Sequence, residues 1–299
     1  MESKDEVPVL VICFRRPELA EQQVENLKRL TRAPIYLYLD GPRNEQEKRY
    51  ADSICNTFTN AGFPAGLTIR RETRNQGCKR SVISAIDWVF EENSSAIILE
   101  DDLLVSASAY EYFTHCLRVF ESDLNVFMVS ALNELGEWAG QGSYFRTTGG
   151  TWGWATWASK WKHMHSIEQV LNDASSQLRI EELRRLVPRR VWRVEAGFHL
   201  AKHGFVDTWD YDWALVRMAM GGRSITPRVN QVKNVGLGPT ATHTKRTRNL
   251  TPNLRELRLP IVDNPDASLD LAYLKRVDRG GLISDLWLRL QLARHARNF

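Results

Sequence analysis

The first 130 residues alternate between short apolar runs and longer amphipathic segments. Segments of strand length, most of them apolar throughout, occur at residues 7–13, 35–39, 67–70, 96–99 and 126–130. Patterns with helical spacing begin at Pro17 and cover residues 44–58, 79–92 and 107–121. Uninterrupted apolar strands that alternate with helices predict an α/β fold, with a mostly parallel central sheet flanked by helices. In such sheets, ligands bind outside the carboxyl ends of the strands.

The regular alternation weakens in the second half of the chain. The Gly- and Trp-rich segment 140–157 predicts a loop, and residues 166–190 predict one charged helical stretch. Residues 206–220 predict a loop that leads into a helix. Because no linker composition divides the chain, we expect one continuous unit with two halves, residues 1–135 and 136–299.

The composition is that of an ordinary globular protein, with 43% apolar and 25% charged residues among 299. The formal net charge of +4 suits anionic partners such as diphosphates or a membrane surface, and it does not call for nucleic acid. Four scattered cysteines without a C-x-x-C pair indicate free thiols. The apolar run at residues 7–14 is too short for a signal peptide or a membrane span, so we expect a cytoplasmic protein.

The triplet Glu100-Asp101-Asp102 directly follows the apolar run at residues 96–99. Three successive carboxylates at the end of a buried strand are electrostatically costly unless a cation or hydrogen-bond donors satisfy them. Ligand sets made only of oxygen suit Mg²⁺ or Mn²⁺. The alternative is a solvated acidic turn that caps the following helix. The triplet alone therefore leaves the metal site as one of two interpretations.

The acidic triplet and several other segments resemble one group of enzymes. The run from Ala96 through the triplet, with Ser106 and the aromatic segment 110–113, resembles the metal-binding segment of GT-A fold glycosyltransferases. The similarity is to bacterial family-2-like glycosyltransferases and to the N-acetylglucosaminyltransferases that start N-glycan branches. Residues that match the family's donor-binding segments, in the same order, are Phe14, Arg15, Arg16, Asp40, Asn75, Gly77, Lys79 and Arg80.

The resemblance implies a metal site and a UDP-sugar donor. In that family a divalent cation, Mn²⁺ or Mg²⁺, bridges the donor diphosphate and is bound by the last acid of the triplet. For this sequence, the resemblance implies that Asp102 is the direct metal ligand. It also implies that Glu100 and Asp101 support Asp102 or contact the ribose. His243 resembles a late histidine that serves as a further metal or diphosphate ligand in many of these enzymes.

Two acids at the start of the helix predicted near residue 210 are candidates for the catalytic base. Asp210 and Asp212 stand where carboxylates favour a helix N-terminus, so helix capping is the alternative interpretation. The segment resembles the family's acceptor-side motif, in which the second acid deprotonates the acceptor hydroxyl. The resemblance therefore implies an inverting displacement with Asp212 as the base and Asp210 as second choice.

The segment 149–157 combines paired glycines with three tryptophans and resembles the Gly/Trp loop of GT-A enzymes. Glycines permit close backbone approach to a ligand, and flat indoles suit a pyranose ring. We therefore predict that Gly150, Trp152 and Trp154 contact the acceptor or the transferred sugar. A tight turn with buried tryptophans is the alternative.

The C-terminal segment 281–299 carries a basic amphipathic pattern. Its apolar stripe is formed by Leu282, Ile283, Leu286, Trp287 and Leu290. Such a helix either packs on the core or lies on an anionic membrane. The second outcome would place the protein at the inner face of the membrane.

Together these features predict a metal-dependent inverting transferase. It would move N-acetylglucosamine or a related hexose from a UDP-sugar to a hydroxyl of a glycan or glycolipid, in bacterial surface polysaccharide or glycolipid synthesis. A nucleotidyltransferase or metal-dependent phosphohydrolase would share the sheet and the acidic site, but it would need a Gly-rich phosphate loop or a second acidic cluster. A non-enzymatic carbohydrate-binding protein that uses the tryptophans is the other alternative.

Overall fold

The computed structural model describes residues 6–31, 33–236, 252–264, 266, 268–280 and 282–295. The strands are β1 (Val9–Cys13), β2 (Ile35–Leu39), β3 (Leu67–Arg71), β4 (Ser95–Glu100), β5 (Leu103–Val105), β6 (Val126–Ser130), β7 (Tyr144–Thr147), β8 (Trp154–Trp157), β9 (Arg223–Pro227) and β10 (Val232–Asn234). The helices are α1 (Pro17–Leu30), α2 (Glu45–Thr59), α3 (Cys78–Val89), α4 (Ala109–Val119), α5 (Ala158–Trp161), α6 (Ile167–Asn172), α7 (Ala174–Leu186), α8 (Pro188–Lys202), α9 (Asp210–Ala219), α10 (Leu271–Asp278) and α11 (Leu282–His295).

Eight strands form a central sheet in the order β3-β2-β1-β4-β8-β6-β9-β7. Strands β8 and β7 run antiparallel to their neighbours, and the other pairings are parallel. The predicted α/β fold with a mostly parallel sheet is therefore confirmed. The chain runs outward from β1 to β3 and then returns to add β4 on the other side of β1. This reversal makes the carboxyl ends of β1 and β4 a topological switch point, where ligands bind in α/β sheets.

Helices cover both faces of the sheet, which explains why its central strands are apolar throughout. In β1, Val9 and Val11 pack with α1, α2 and α4 on one face. Leu10 and Ile12 pack with α3 and α9 on the other. Successive side chains of a strand point to opposite faces, so a strand covered on both sides needs an unbroken apolar run.

Two local predictions are wrong, and one strand was missed. Residues 140–157 contain β7 and β8 rather than one loop, and β8 lies between β4 and β6 with all four residues buried. The predicted helical stretch 166–190 is divided, because Asp173 caps α7 and Pro188 starts α8. Strand β5 was not predicted; it pairs with β10, which comes from the second half of the chain.

Helix α11 packs through a different face from the predicted stripe. Leu288 is 1% exposed and packs with Leu292 against α8. Leu286, Trp287 and Leu290 remain exposed. Among the described helices, none combines the length and the apolar character that crossing a bilayer would require.

Candidate functional site

The switch point brings together the segments that follow β1 and β4. The guanidinium of Arg16, after β1, forms ion pairs with Asp101 at 3.1 Å and with Asp102 at 2.7 Å, after β4. The Asp101 N–H donates to the carbonyl of Ile12 at 3.0 Å, which continues the strand pairing into the triplet. Glu100 therefore ends β4, and Asp101 and Asp102 form a turn that this hydrogen bond and the ion pairs tie to the end of β1.

We call the triplet Glu100-Asp101-Asp102, at the carboxyl ends of β1 and β4, the acidic edge. Burial shapes its electrostatics. Burial, together with the neighbouring carboxylates of Asp102 and Asp101, raises the pKa of Glu100 to about 8. Burial also raises the pKa of Asp101 to about 7, against the opposing effect of Arg16. Burial lowers the pKa of Arg16, but the two aspartates outweigh it and hold that pKa above its usual value. One guanidinium thus faces three carboxyl groups, an arrangement that favours a further cation.

The described residues fit a cation that is shared with a substrate. Among them, no group of three or more His, Cys, Asp or Glu is arranged to hold a metal ion. Asp102 is the triplet member predicted to bind the metal, and its side chain is 13% exposed. Mg²⁺ is commonly bound through one or two carboxylates together with phosphates and water, and Asp102 suits that mode. His243, the predicted further ligand, lies outside the described residues.

Residue 236 lies directly against the Arg16–Asp102 pair. A Cβ on Gly236 would be 2.2 Å from Arg16 Nη1 and 2.3 Å from Asp102 Oδ2. The neighbouring Val235 N–H donates to the carbonyl of Asp102 at 2.8 Å. Only glycine fits at this position, so the C-terminal half closes tightly over the acidic edge.

Asp40, at the end of β2, holds a turn in place. One carboxylate oxygen accepts from the N–H groups of Gly41 at 2.8 Å and Gln76 at 2.9 Å, and the other accepts from the Asn75 amide at 2.7 Å. Burial raises the pKa of Asp40, and the backbone N–H donors oppose this. Asp40 and Asn75 were predicted to contact the nucleotide. In this structure they bind each other and fix the turn that begins α3.

The N-terminus of α3 is capped by a residue that sequence reasoning missed. Gly77 occupies the cap position and has no side chain to offer. Asp207 supplies the carboxylate instead, accepting from Cys78 N–H at 2.7 Å and Lys79 N–H at 3.0 Å. A Cβ on Gly77 would lie 2.6 Å from Asp207 Oδ2. The only local signal in the sequence is a helix start without a capping side chain.

Lys79 and Asp212 form an ion pair at the base of the site. Asp212 is 5% exposed, and its second oxygen has no hydrogen-bond partner among the described residues. Burial raises the pKa of Asp212, while Lys79 lowers it. Arg80 is exposed on the surface of α3. Asp212 therefore serves as the counter-charge of Lys79, and it does not line the neighbouring cavity.

Asp210 does line that cavity, which measures about 320 Å³ and includes Gly149, Gly150 and Thr151 in its wall. The hydroxyl of Thr208 donates to the Asp210 carboxylate. Asp210 also raises the pKa of Glu100, so it lies within electrostatic reach of the acidic edge. Of the two candidate bases, Asp210 is the one that connects the cavity with the carboxyl ends of the strands.

The tryptophans mostly build core. Trp154 is 1% exposed and stacks on Trp209 with ring centroids 5.5 Å apart, and Trp161 and Trp213 pack around them. Trp154 offers no face to a sugar, because its strand lies in the middle of the sheet. Trp152 is half-buried against the core, while Gly150 lines the cavity. The predicted sugar contact at Trp154 is therefore wrong.

Phe14 and Arg15 lie at the rim of the switch point. The guanidinium of Arg43 lies over the Phe14 ring at 5.1 Å from its centroid, and that of Arg15 lies at 5.8 Å. Glu47 pairs with Arg43 and lies 4.0 Å from Arg15. The rim thus combines an aromatic face with two cations beside the acidic edge.

Comparisons with known proteins add little to this geometry. No protein-family model matches the chain, and no curated protein matches it significantly. Similar solved structures include a UDP-glucose pyrophosphorylase complexed with UDP-glucose, at 9% identity and a TM-score of 0.40, covering 76% of this chain and 92% of that one. Another is S. aureus TarS 1-349, at 7% identity and a TM-score of 0.41, covering 76% of this chain and 59% of that one. Similarities at these identities and TM-scores do not establish a function, so the function is inferred from the geometry of the site.

Proposed function

We propose that this protein is a glycosyltransferase that moves a hexose from a UDP-sugar to an acceptor hydroxyl. The observation that carries the proposal is the convergence at one edge of the sheet. Asp102 and Arg16 meet at the switch point, and Asp210 lines a separate cavity within electrostatic reach of Glu100. A donor site and an acceptor site on either side of one carboxylate are what group transfer to a hydroxyl requires.

The residues divide into a donor side and an acceptor side. On the donor side, Asp102 would hold the cation that accompanies the diphosphate, and Arg16 orients its carboxylate. The rim of Phe14 and Arg15 borders the space for the nucleotide. On the acceptor side, Gly150 and Asp210 line the cavity. This assigns the base to Asp210, because Asp212 is buried in its pair with Lys79.

The reaction needs one proton acceptor and one leaving group. Asp210 takes the proton of the acceptor hydroxyl while its oxygen attacks the anomeric carbon. The bond from that carbon to the diphosphate breaks, UDP leaves, and the configuration at the anomeric carbon inverts. A divalent cation at Asp102, Mg²⁺ or Mn²⁺, supplies positive charge for the leaving diphosphate. The acceptor is a glycan or glycolipid, and a role in bacterial surface polysaccharide or glycolipid synthesis belongs to the same proposal.

The tryptophan-based alternative loses its main support. A carbohydrate-binding protein would present flat indoles on its surface, whereas Trp154, Trp161, Trp209 and Trp213 pack in the core. No observation on the described residues favours a nucleotidyltransferase or a phosphohydrolase, and the described residues contain no metal-ligand cluster of the kind that a two-metal site would need.

Calorimetric titration with UDP, with and without Mn²⁺, tests the donor site. We expect Mn²⁺-dependent binding to the wild type and its loss in Asp102→Asn. Asp123→Asn is the matched control, because Asp123 is a partly buried carboxylate that precedes β6, at the end of the parallel strands opposite to the site. If UDP does not bind with the metal present, GDP and dTDP are tried next. Failure of all three would refute the proposal.

A further inference from the structure

The cavity beside Asp210 is unusually rich in arginine. Arg190 and Arg193, from α8, and Arg217, from α9, line it together with the carboxylates Glu134 and Asp210. A cavity for a neutral sugar would need hydroxyl partners but no excess of cations.

Two of the three arginines are neutralised by carboxylates. Arg190 pairs with Glu134 at 2.9 Å and donates to the carbonyl of Gly149 at 2.8 Å. Arg193 pairs with Asp285 of α11. Each of these guanidinium groups thus has a structural counter-charge and a structural role.

Arg217 is different. It is 4% exposed, and its hydrogen bonds go to two neutral groups, the carbonyl of Thr148 and the hydroxyl of Ser224, both at 2.7 Å. No carboxylate among the described residues forms an ion pair with it. Burial, together with the nearby charge of Arg190, lowers the pKa of Arg217 to about 9. A buried cation without a counter-charge destabilises a fold unless a ligand supplies one.

Two buried polar atoms of residues that line this cavity have no hydrogen-bond partner within the described chain. They are Nε of Arg217 and the hydroxyl oxygen of Thr148, both buried. Both residues line the cavity. Buried polar atoms are normally hydrogen-bonded, so two unsatisfied donors at one cavity indicate a place for an acceptor atom of a ligand.

We propose that this cavity binds an oxyanion of the acceptor substrate, a phosphate or a carboxylate, through Arg217 and Thr148. A guanidinium matches the geometry of such oxyanions, and a hydroxyl donates to them readily. The inference deepens the proposed transferase function and rests on it for the identity of the ligand as the acceptor. The acceptor class is then an anionic glycan or a phosphate-bearing glycan carrier.

The helix that carries both groups sets the spacing. Asp210, Ala214 and Arg217 follow one another at helical intervals, and all three line the cavity. Seven residues of α-helix span about 10 Å. The anionic group therefore binds about two helical turns from the base, a distance that an acceptor larger than one sugar ring can bridge.

Thermal unfolding with inorganic phosphate tests the anion site without turnover. We expect phosphate to raise the melting temperature of the wild type, including when UDP and Mg²⁺ are present, since the cavity is separate from the donor side. In Arg217→Met the affinity for phosphate should fall by about tenfold or more. Arg146→Met is the matched control, because Arg146 is a partly buried arginine paired with Asp123 away from the cavity. It should keep the phosphate effect.

A second variant covers the case in which Arg217→Met does not fold. Thr148→Val removes only the unpartnered hydroxyl and keeps the carbonyl that Arg217 uses, and it should also weaken phosphate binding. Replacing phosphate with acetate separates the two sources: stabilisation by phosphate alone indicates a phosphorylated acceptor, and stabilisation by acetate indicates a carboxylate. Equal phosphate binding by wild type, Arg217→Met and Thr148→Val would refute the site, as would no stabilisation of the wild type.

These outcomes are separable from those of the donor test. If UDP fails to bind but phosphate still stabilises the wild type through Arg217, the anion site survives and the transferase proposal fails. If UDP binds with metal but phosphate has no effect, the transferase proposal survives and the anionic acceptor is refuted.

Discussion

The cap that Asp207 provides to α3 can be tested by a double-mutant cycle with Gly77. The two residues are 130 positions apart in sequence but in contact in the structure. Gly77 has φ 81° and ψ 168°, a region that essentially only glycine adopts. A Cβ at residue 77 would also lie 2.6 Å from Asp207 Oδ2, and would push the carboxylate away from the N–H groups of Cys78 and Lys79.

The backbone strain and the loss of the cap each lower the free energy of unfolding, and the two effects can be estimated separately. Backbone strain at Gly77→Ala should cost about 1–3 kcal/mol in any background. Asp207→Ala should cost about 1–2 kcal/mol, since it removes a helix cap with two hydrogen bonds. In the wild type, Gly77→Ala also displaces the cap, so it carries both costs. In the Asp207→Ala background only the strain remains. The expected coupling is therefore about 1–2 kcal/mol, and Asp207→Ala alone should lower the melting temperature by about 2–8 °C.

Urea unfolding of the wild type, the two single variants and the double variant measures the coupling. Gly62→Ala is the control: Gly62 also has a positive φ, of 64°, but a Cβ there would meet nothing within 4 Å. It should show the strain cost and no coupling to Asp207. Additivity of Gly77→Ala and Asp207→Ala within about 0.5 kcal/mol would mean that the two residues do not interact, and would refute this description of the cap.

Three further predictions concern the base, the pH response and the C-terminal helix. Asp210→Asn should lower kcat by about 10²–10⁴-fold and leave the melting temperature unchanged. Asp212→Asn should mainly lower the free energy of unfolding, by about 1–3 kcal/mol. The reverse pattern would indicate that Asp212 is the base. Burial raises the pKa of Glu256, but the hydrogen bonds that its carboxylate accepts from Ser108 and Ala107 outweigh burial, and the pKa is lowered overall. The ionised Glu256 therefore stabilises the fold above the unfolded-state pKa of about 4.3, and this stabilisation is lost as the pH falls further. The difference in unfolding free energy between wild type and Glu256→Gln should therefore shrink from pH 7 to pH 3, and a constant difference would contradict it. Replacing Leu286 and Leu290, which are 60% and 59% exposed, with serine should reduce sedimentation with anionic liposomes at little cost in stability; undiminished sedimentation would rule out membrane contact by this face.

The first half of the fold could be predicted from sequence because its signals are local. Strands β1 and β2 and the buried part of β4 are continuous apolar runs, and Pro17 marks the start of α1. The turn after β2 and the triplet after β4 then fall at the carboxyl ends of parallel strands. Given the fold, these positions predict where the acidic edge lies, without any knowledge of side-chain contacts.

The contacts that define the site are not local, and so they were not predicted. Arg16 and Asp102 are 86 positions apart, and the cap from Asp207 to Cys78 spans 129. Nothing near Arg217 in the sequence marks it as a cation without a carboxylate partner. Such features depend on which charges the tertiary fold brings together, and they become visible only when each buried polar group is accounted for.

The choice between Asp210 and Asp212 depends on the rotational phase of α9. Successive residues of an α-helix are 100° apart, so two acids separated by two positions point to nearly opposite sides. Apolar residues occur on both sides of this helix, with Trp213 and Val216 in one core cluster and Leu215 in another. The hydrophobic pattern alone therefore does not determine which acid faces inward. Packing of Trp213 onto the tryptophan cluster sets the phase, which turns Asp212 toward Lys79 and leaves Asp210 at the cavity.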